Sequence, residues 1–494
     1  MFCTAFNHLI DRLRHQDPTV ALMRDAGRVS FAQFGARVAT LHPALSDCHR
    51  PGPVLVRGHK QADVIAAMIA ATCAGRGFVC AEANFPRARV EQIIETCGWA
   101  VLLDAAADRF ACSLPAIATG ALADAPCVLP DVAGEAALFY ITFTSGSTGQ
   151  PKGIPISRAT FASFIDWMEP QVRRSMLGQD AAIHHASLAF DMSMNDAWLA
   201  LFAGRPSYLL DHARNANPQA NIKGLTRDPQ VAPGSLMSTP AFLTILLESP
   251  RFCASRLPRL RAFRVGGEAV PRPLLPRLRT AFPDSLIYHA SGPSEATCVT
   301  HCHLLHDADL LGDAALPLGL AHGGTGVLVD RGDGSLHPSG KGEIVLLGLQ
   351  VAGRYLPASH PNNVNFVVHD GQPGYRTGDL GVLSQDGTLQ IVGRIDRQVK
   401  INGLRIELGG IEECPLHVPG VTTAVAVLRT GPGKSLTLII DGPDLKPDAV
   451  DRLRNHLASH LPPYMQPARI EMCDNVPLTL SGKIDRRQVE HLFS

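Results

Sequence analysis

Short apolar runs alternate with helix-period segments along most of the chain, and that alternation restricts the fold more than any other feature. "PVLVRG" (53–58) reads as a strand, and "QADVIAAMIAATCAG" (61–75) as a helix closed by Gly75. "GFVCAEA" is strand-like again, and "PRARVEQIIETCG" carries Pro86 at its start and Gly98 past its end. Further on, "AAIHHASLAF", "PSYLL", "GSLMSTP", "RAFRVGG" and "SLIYHA" read as strands, with helical patterns between most of them. Such a sequence builds doubly wound α/β layers. From about residue 318 the runs shorten and the turns become Gly-rich, as in "GEIVLLG" and "GTLQIVG", which predicts a β-rich subdomain. After "GRIDRQVKINGLRIELGGIEE" comes a compact α+β pattern: "TTAVAVLRT", "SLTLIID" and the helix-like "DAVDRLRNHLASHL". The expectation is a large α/β domain over 1–395 and a small α+β domain over 396–494, with the boundary near Asp396.

A chain of 494 residues has ample length for a large core. Lys+Arg and Asp+Glu balance at 45 each, so nothing in the charge marks a nucleic-acid or membrane-surface partner. "MFCTAFNHLIDRLRHQ" has charges where a signal peptide needs an unbroken apolar run, and no run approaches a membrane span. The 12 cysteines are scattered singly in mostly apolar surroundings, as reduced core thiols are. A cytoplasmic protein is expected.

"TFTSGSTGQPKG" (142–153) follows the apolar run "AALFYI". A strand leading into glycines, hydroxyls and a lysine can offer backbone N–H groups to phosphate oxygens. It is not a P-loop, because Gln150 and Pro151 separate Gly149 from Lys152 and Gly153 follows the lysine. In "ASGPSEAT" (290–297), Gly292 and Pro293 force a turn, Ser294 offers a hydroxyl, and Glu295 offers hard oxygens suited to Mg²⁺. This is close to a nucleophile elbow, but that motif needs a helix after the serine and "ATCVTHCHLL" reads as extended. "CVTHCH" (298–303) lacks a distant second ligand pair for zinc; as a strand it places Cys298, Thr300 and Cys302 on one face, His301 and His303 on the other. "YRTGDLG" presents Asp379 on a turn, where a carboxylate can accept from the vicinal hydroxyls of a ribose. Lys483 lies on a Ser-Gly turn in "LTLSGKIDRR".

Taken together and in order, "AGRGFVCAEANFPRARVEQI", "FTSGSTGQPKG", "FDMS", "VGGEAV", "SGPSEAT", "YRTGDL", "GRIDRQVKINGLRIELGGIE", "LPPYMQP" and "SGKIDRR" resemble the core motifs of the adenylate-forming superfamily. The similarity is to adenylation domains of nonribosomal peptide synthetases and their acyl-CoA and aryl-acid ligase relatives, from about residue 20 to 488. The resemblance implies joining of a carboxylate to the α-phosphate of ATP, release of pyrophosphate, and transfer of the acyl group to a thiol. Lys483 is then the cation between carboxylate and α-phosphate, and Thr144 and Glu295 help hold Mg²⁺. Ser145, Gly146, Ser147, Thr148, Gly149 and Lys152 surround the β,γ-phosphates, and Ser294 touches the α-phosphate. Asp379 and Arg394 bind the ribose, and Gly267, Glu268, Ala290, Ser291, Gly292 and Pro293 complete the ATP set. Asp396 matches the hinge of a mobile lid, and Lys400 to Gly403 the stretch used for thioester formation. Ser291 and Ser294 depart from the family's usual Tyr and Thr, the first removing an adenine-stacking ring.

By the same resemblance, Asp191 in "AFDMSMNDAW" stands where amino-acid-activating members hold the substrate ammonium, with a helix cap shared with Ser193 as the plain alternative. Met192, Asn195, Arg264, Gly266, Ala290, Cys298 and Val299 complete the pocket; Arg264 faces a polar substrate or turns away to a neighbouring carboxylate. With no carrier domain after "SGKIDRR", the expected partners are a free amino acid and a separate phosphopantetheinylated carrier protein. D-alanine–carrier protein ligases share the Asp, although Gly266 stands where their pocket cysteine is expected. A CoA ligase for a non-amino acid and a non-catalytic binding protein are the other readings, and retention of Lys483 speaks against the latter.

Overall fold

The helix Ala62–Cys73 is apolar on every face, a pattern that leaves no side for solvent, and it is buried from Val64 to Cys73. It ends at Gly75, whose φ of +76° lets the Arg76 N–H reach Ala71 O at 2.9 Å and the Gly75 N–H reach Thr72 O at 3.1 Å. The flanking strands Val54–Gly58 and Phe78–Glu82 pair in parallel, so the segment is a β-α-β crossover. The computed structural model describes residues 4–24, 27–106, 108, 110–121, 129, 137–144, 151–178, 180–211, 217–227, 232–311, 315–429, 434–442, 445, 448–473, 476–479 and 484–493.

The six-stranded sheet that holds this crossover runs Ala116–Ala118, Val101–Asp104, Val54–Gly58, Phe78–Glu82, Leu138–Thr144, Lys152–Ser157. An eight-stranded sheet runs His301–Leu304, Leu286–Ser291, Ala262–Gly266, Pro233–Ser238, Ala181–His184, Ser207–Leu209, Val20–Arg24, Gly27–Ser30. Its inner pairs are parallel and the outermost strand at each end is antiparallel. Strand alternation gives the sheet two apolar faces: Met237 and Ala290 join a core with Phe78, Phe139, Phe161 and Trp198, while Phe263 and Val265 join Phe252 and Phe282. A third sheet is antiparallel throughout, with Thr325–Asp330, Gly340–Gly348, Gln372–Leu383 and Leu389–Arg394 as its long strands. The chain is thus mixed α/β with doubly wound layers and a β-rich part, as the alternation of runs predicts.

The chain divides into two compact units, one of Met1–Ala83, Cys97–Thr142 and Ile154–Ile395, the other of Asn84–Thr96, Phe143–Gly153 and Asp396–Ser494. In the second, Gln398–Ile401 and Leu404–Glu407 form a hairpin whose turn residues Asn402 and Gly403 have φ of +53° and +78°. Asn-Gly suits that two-residue turn, since both positions need positive φ. Thr423–Arg429, Ser435–Asp441 and Arg469–Met472 make its main sheet, and Leu453 and Leu457 of the helix Ala449–His460 enter its core. Glu412 draws Arg397 and Arg486 together, each through both guanidinium nitrogens.

Two segments depart from the sequence expectation. In "AAIHHASLAF" the strand stops at His184, because the Asp196 carboxylate takes the N–H groups of His185 (3.1 Å) and Ala186 (3.4 Å). In "ATCVTHCHLL" the extended conformation begins only at His301. Ser294–Ala296 is a 3₁₀ turn, and Thr297 and Cys298 have φ of +57° and +72°. Cys298 therefore does not share a strand face with Cys302.

Candidate active site

Parallel strands leave their carboxyl ends open to one side of the sheet, where ligands of doubly wound folds bind. Here Ala181–His184, Pro233–Ser238, Ala262–Gly266 and Leu286–Ser291 end side by side, with Ser238 opposite Val265 and Gly266 opposite Ala290. Gly266 is required: a Cβ there would stand 2.0 Å from Ala290 O. Gly267 follows with φ of +87°, and Glu268 is buried, its Oε1 accepting from the Ala241 N–H at the start of the helix Pro240–Leu247. Ser238, buried at its strand end, is a neighbour that the motif reading does not include.

Asp191 opens the 3₁₀ turn Asp191–Asn195, whose N-cap is Phe190 with no side-chain cap; the cap of the next helix, Ala197–Phe202, is Asp196. The helix-cap reading of Asp191 therefore fails. Asn195 Nδ2 stands 2.6 Å from Cys298 Sγ, which joins the Asp191 turn to the loop after Ala290. Met192 packs on the core that contains Ala290, Cys298 and Val299. Burial, then the charges of Asp191 and Asp196, push the Cys298 thiol well above its usual range. Burial and the Asp191 charge do the same to the Tyr140 hydroxyl. The charge of Asp191 has the sign that attracts a cation. Arg264 does not supply one: it is buried on its strand, donates to Ser175 Oγ at 3.2 Å and lies over the Tyr288 ring at 5.5 Å. Of its two sequence readings, it turns away, to a hydroxyl and a ring instead of a carboxylate.

The loop 291–299 is held from both sides. Ser291 O accepts the Thr300 N–H at 2.9 Å, and a Cβ on Gly292 would meet Val299 and Thr300 backbone at 2.7 Å. Thr297 Oγ1 donates to Gln350 O at 2.7 Å, which pins the left-handed turn, and the Ala352 N–H reaches Glu295 O at 2.7 Å. Glu295 is fully buried, and its Oε1 accepts from Tyr355 OH, itself 2.9 Å from Tyr375 OH. Pro293 and Ser294 stay partly exposed at the mouth. Tyr355 is a supporting residue that no local sequence signal reveals, since it lies 60 residues from Glu295.

Beneath the Asp191 turn lies a buried polar group. Asp196 bonds His184 Nδ1 as well as the backbone donors above, and Ser187 Oγ bonds Glu82. Lys60 Nζ donates to His185 O at 2.6 Å; burial pulls its ammonium down to about 8, against the opposing charges of Asp196, Glu82 and Asp211.

Asp379 and Arg394 face each other across two antiparallel strands and form an ion pair, with Arg394 also reaching Thr377 O at 3.2 Å. Both are partly exposed, so the carboxylate keeps an open edge. In the second unit, Thr144 Oγ1 is buried with no hydrogen-bond partner among the described residues. Lys152 Nζ pairs with Glu407 Oε1 at 2.6 Å, both buried. Asp396 is exposed and accepts the Gln398 N–H at 3.2 Å, and Lys400 pairs with Arg405 in the hairpin that carries Gly403 at its turn. Thr144 and Glu295 both fit Mg²⁺ chemically, one an orphaned buried hydroxyl and the other a carboxylate, although they belong to different units. Ser145, Gly146, Ser147, Thr148, Gly149 and Lys483 lie outside the described residues.

Known proteins share the sequence and the fold to measurable degrees. The D-alanine–D-alanyl carrier protein ligase of Bacillus velezensis is 30% identical over 451 residues, 88% of each chain. The structure of an NRPS protein containing adenylation and PCP domains, bound to a vinylsulfonamide inhibitor, superposes with a TM-score of 0.82 at 25% identity, covering 99% of this chain and 84% of that one. An o-succinylbenzoate CoA synthetase from Bacillus subtilis shares the fold at TM-score 0.82 and 20% identity, over 98% of both chains. The family model for AMP-binding enzymes matches residues 11–356, and with it the site at the carboxyl ends of the strands has its family: the chain belongs to the AMP-binding enzymes, as an adenylating ligase.

Proposed function

We propose that this chain activates D-alanine as its adenylate and passes it to the phosphopantetheine thiol of a separate carrier protein. The observation that supports the reading is Asp191, which opens a turn joined to the loop after Ala290 by the Asn195–Cys298 contact, and whose charge is felt by Cys298 and Tyr140. The similarity to a D-alanine–carrier protein ligase over most of both chains supports the substrate and the partner.

In this reading Asp191 pairs the ammonium and orients the substrate carboxylate, while the Asn195–Cys298 contact and the Gly266 backbone shape the pocket floor. Asp379, prealigned by Arg394, accepts the ribose hydroxyls, and Ser294 at the loop mouth meets the α-phosphate. Glu295 and Thr144 would hold Mg²⁺, which when bound offsets phosphate charge. Lys483 neutralises charge between carboxylate and phosphate, and the loop 145–149 takes the departing pyrophosphate, whereas Lys152, expected there from the sequence, is buried against Glu407. Asp396 serves as the hinge between domains 1–395 and 396–494, and the turn at Gly403 with Lys400 serves the thiol step.

A second reading is a slightly larger amino acid, since Gly266 stands where the pocket cysteine of D-alanine–carrier protein ligases is expected and the Ala290 carbonyl leaves no room for that side chain here. Pyrophosphate exchange over D- and L-alanine, glycine, serine, larger amino acids and aryl and fatty acids tests both. Preference for D-alanine is expected. Preference for a bulkier amino acid would select the second reading, and preference for an acid without an amine would overturn both.

A further inference from the structure

In the second unit a cysteine and two histidines converge. Cys414, His456 and His460 present one ligand atom each, and these atoms all lie within 4.8 Å of one another. Cys414 opens the 3₁₀ turn Cys414–His417, and the two histidines sit one turn apart on the helix Ala449–His460, so their rings stand over each other with centroids 4.1 Å apart. None belongs to the adenylation set described above.

We propose that this cluster is a zinc-type metal site, with Cys414 as thiolate ligand and His456 and His460 as imidazole ligands.

The donor set selects the ion. A thiolate with two neutral imidazoles suits Zn²⁺, whereas Mg²⁺ and Ca²⁺ require oxygen. Tetrahedral Zn²⁺ sets such atoms about 3.3–3.6 Å apart, so closure from the observed arrangement takes roughly 1 Å of side-chain motion. All three residues are partly exposed, which leaves room for that motion and for ion entry.

Second, the His460 ring makes the kind of hydrogen bond that a ligand ring makes. His460 Nδ1 bonds the His456 carbonyl at 2.8 Å, which puts the hydrogen on Nδ1 and the lone pair on Nε2. The His456 ring stacks on that of His460, and its carbonyl is the acceptor for His460 Nδ1. Metal-bound histidines characteristically donate their other N–H to a carbonyl in this way. The fourth position falls to water or to His417, at the far end of the same 3₁₀ turn and close enough for its charge to act on His456. In sequence the four residues read Cys-x2-His and His-x3-His, a spacing that becomes a site only when the helix packs beside the turn.

The balance is simple. A thiol carries its proton at neutral pH, so binding breaks the Cys414 S–H bond, forms S–Zn, and releases one proton to solvent. The bound ion would tie 414–417 to the helix Ala449–His460 and stabilise the second unit by mass action.

The test is titration of the full chain, freed of metal, with Co²⁺ and then Zn²⁺. One equivalent of Co²⁺ is expected to give tetrahedral visible bands with a thiolate-to-cobalt charge-transfer band, displaced by Zn²⁺. Cys414→Ser should lose the charge-transfer band. His456→Gln and His460→Gln should each weaken binding by at least about 100-fold, the upper range for losing even a supporting group. Zn²⁺ should raise the Tm of the parent chain and leave that of Cys414→Ser unchanged, while pyrophosphate exchange with Mg²⁺ and without Zn²⁺ stays equal in both, which separates this site from the adenylation reading. Absence of saturable Co²⁺ binding by the parent chain, or a full charge-transfer band in Cys414→Ser, would overturn the proposal.

Discussion

Replacing Asp191 with asparagine removes one charge and leaves the shape of the pocket almost unchanged. The side chains around it are largely dry: Tyr140 is 2% exposed, Asn195 3% and Cys298 8%. A charge-assisted hydrogen bond there contributes about 1.5–3 kcal/mol, and because Asp191 itself is partly exposed, the lower half of that range applies. About 2 kcal/mol corresponds to a loss of roughly 30-fold in kcat/KM for the amino acid. Propionate, the same acid without the ammonium, is the internal control. It should be a poor substrate of the parent enzyme, since it leaves the carboxylate unpaired, and should lose nothing further in Asp191→Asn. Pyrophosphate exchange with both acids on both proteins closes the cycle; if the panel ranks another amino acid first, its own des-amino acid takes the place of propionate. Equal losses for the two acids would refute the reasoning, because the substitution would then have damaged the pocket and not the ammonium contact.

His301 is 1% exposed, and burial, with the neighbouring His289, depresses its pKa from 6.5 to about 4. The unfolded chain takes up that proton near 6.5 and the folded chain only near 4, so stability falls as pH drops through this window, by about 3 kcal/mol in all. Urea midpoints from pH 7 to pH 4 should therefore drop more steeply for the parent than for His301→Gln, and parallel curves would contradict this. The Lys152–Glu407 pair joins side chains 1% and 7% exposed at 2.6 Å. Glu407→Gln should destabilise the fold by about 3–5 kcal/mol in urea unfolding, with much of the loss regained in Lys152→Met/Glu407→Leu, and a single variant as stable as the parent would deny the burial.

How much was legible in the sequence follows from the range of each interaction. The β-α-β units were readable because apolar period and helix ends are local: Ala62–Cys73 is apolar on every face and Gly75 closes it. The motifs marked the strand ends for a similar reason, since "VGGEAV" and "SGPSEAT" each follow a strand directly. The left-handed turn at Thr297 and Cys298 was not readable, because neither residue type favours positive φ; Gln350, 53 residues on from Thr297, holds the turn in place. Arg264 could not be resolved either, as its direction depends on Ser175, in the distant helix Arg158–Ser175. The cysteines read as scattered core thiols, and only the packing of Cys414 beside Ala449–His460 joins one of them to two histidines.

The polar group beneath Asp191 explains how a single carboxylate can be aimed. Asp196 accepts from His184, His185, Ala186 and Ala197, so the chain immediately after the strand and the helix two turns later are tied to one side chain. Glu82 holds Ser187, and Lys60 holds the His185 carbonyl. An ammonium buried without acidic neighbours would shed its proton, and Lys60 has the charges of Asp196, Glu82 and Asp211 to oppose that. Together they let the segment 184–196 keep charged anchors in a dry interior. The turn carrying Asp191 is therefore set by interactions formed on folding, before any substrate arrives, and the binding energy of an ammonium need not be spent on ordering it. The anchors of this segment that Asp191→Asn leaves in place are Asp196, Glu82 and Lys60, which hold the His185 and Ala186 N–H groups, Ser187 and the His185 carbonyl.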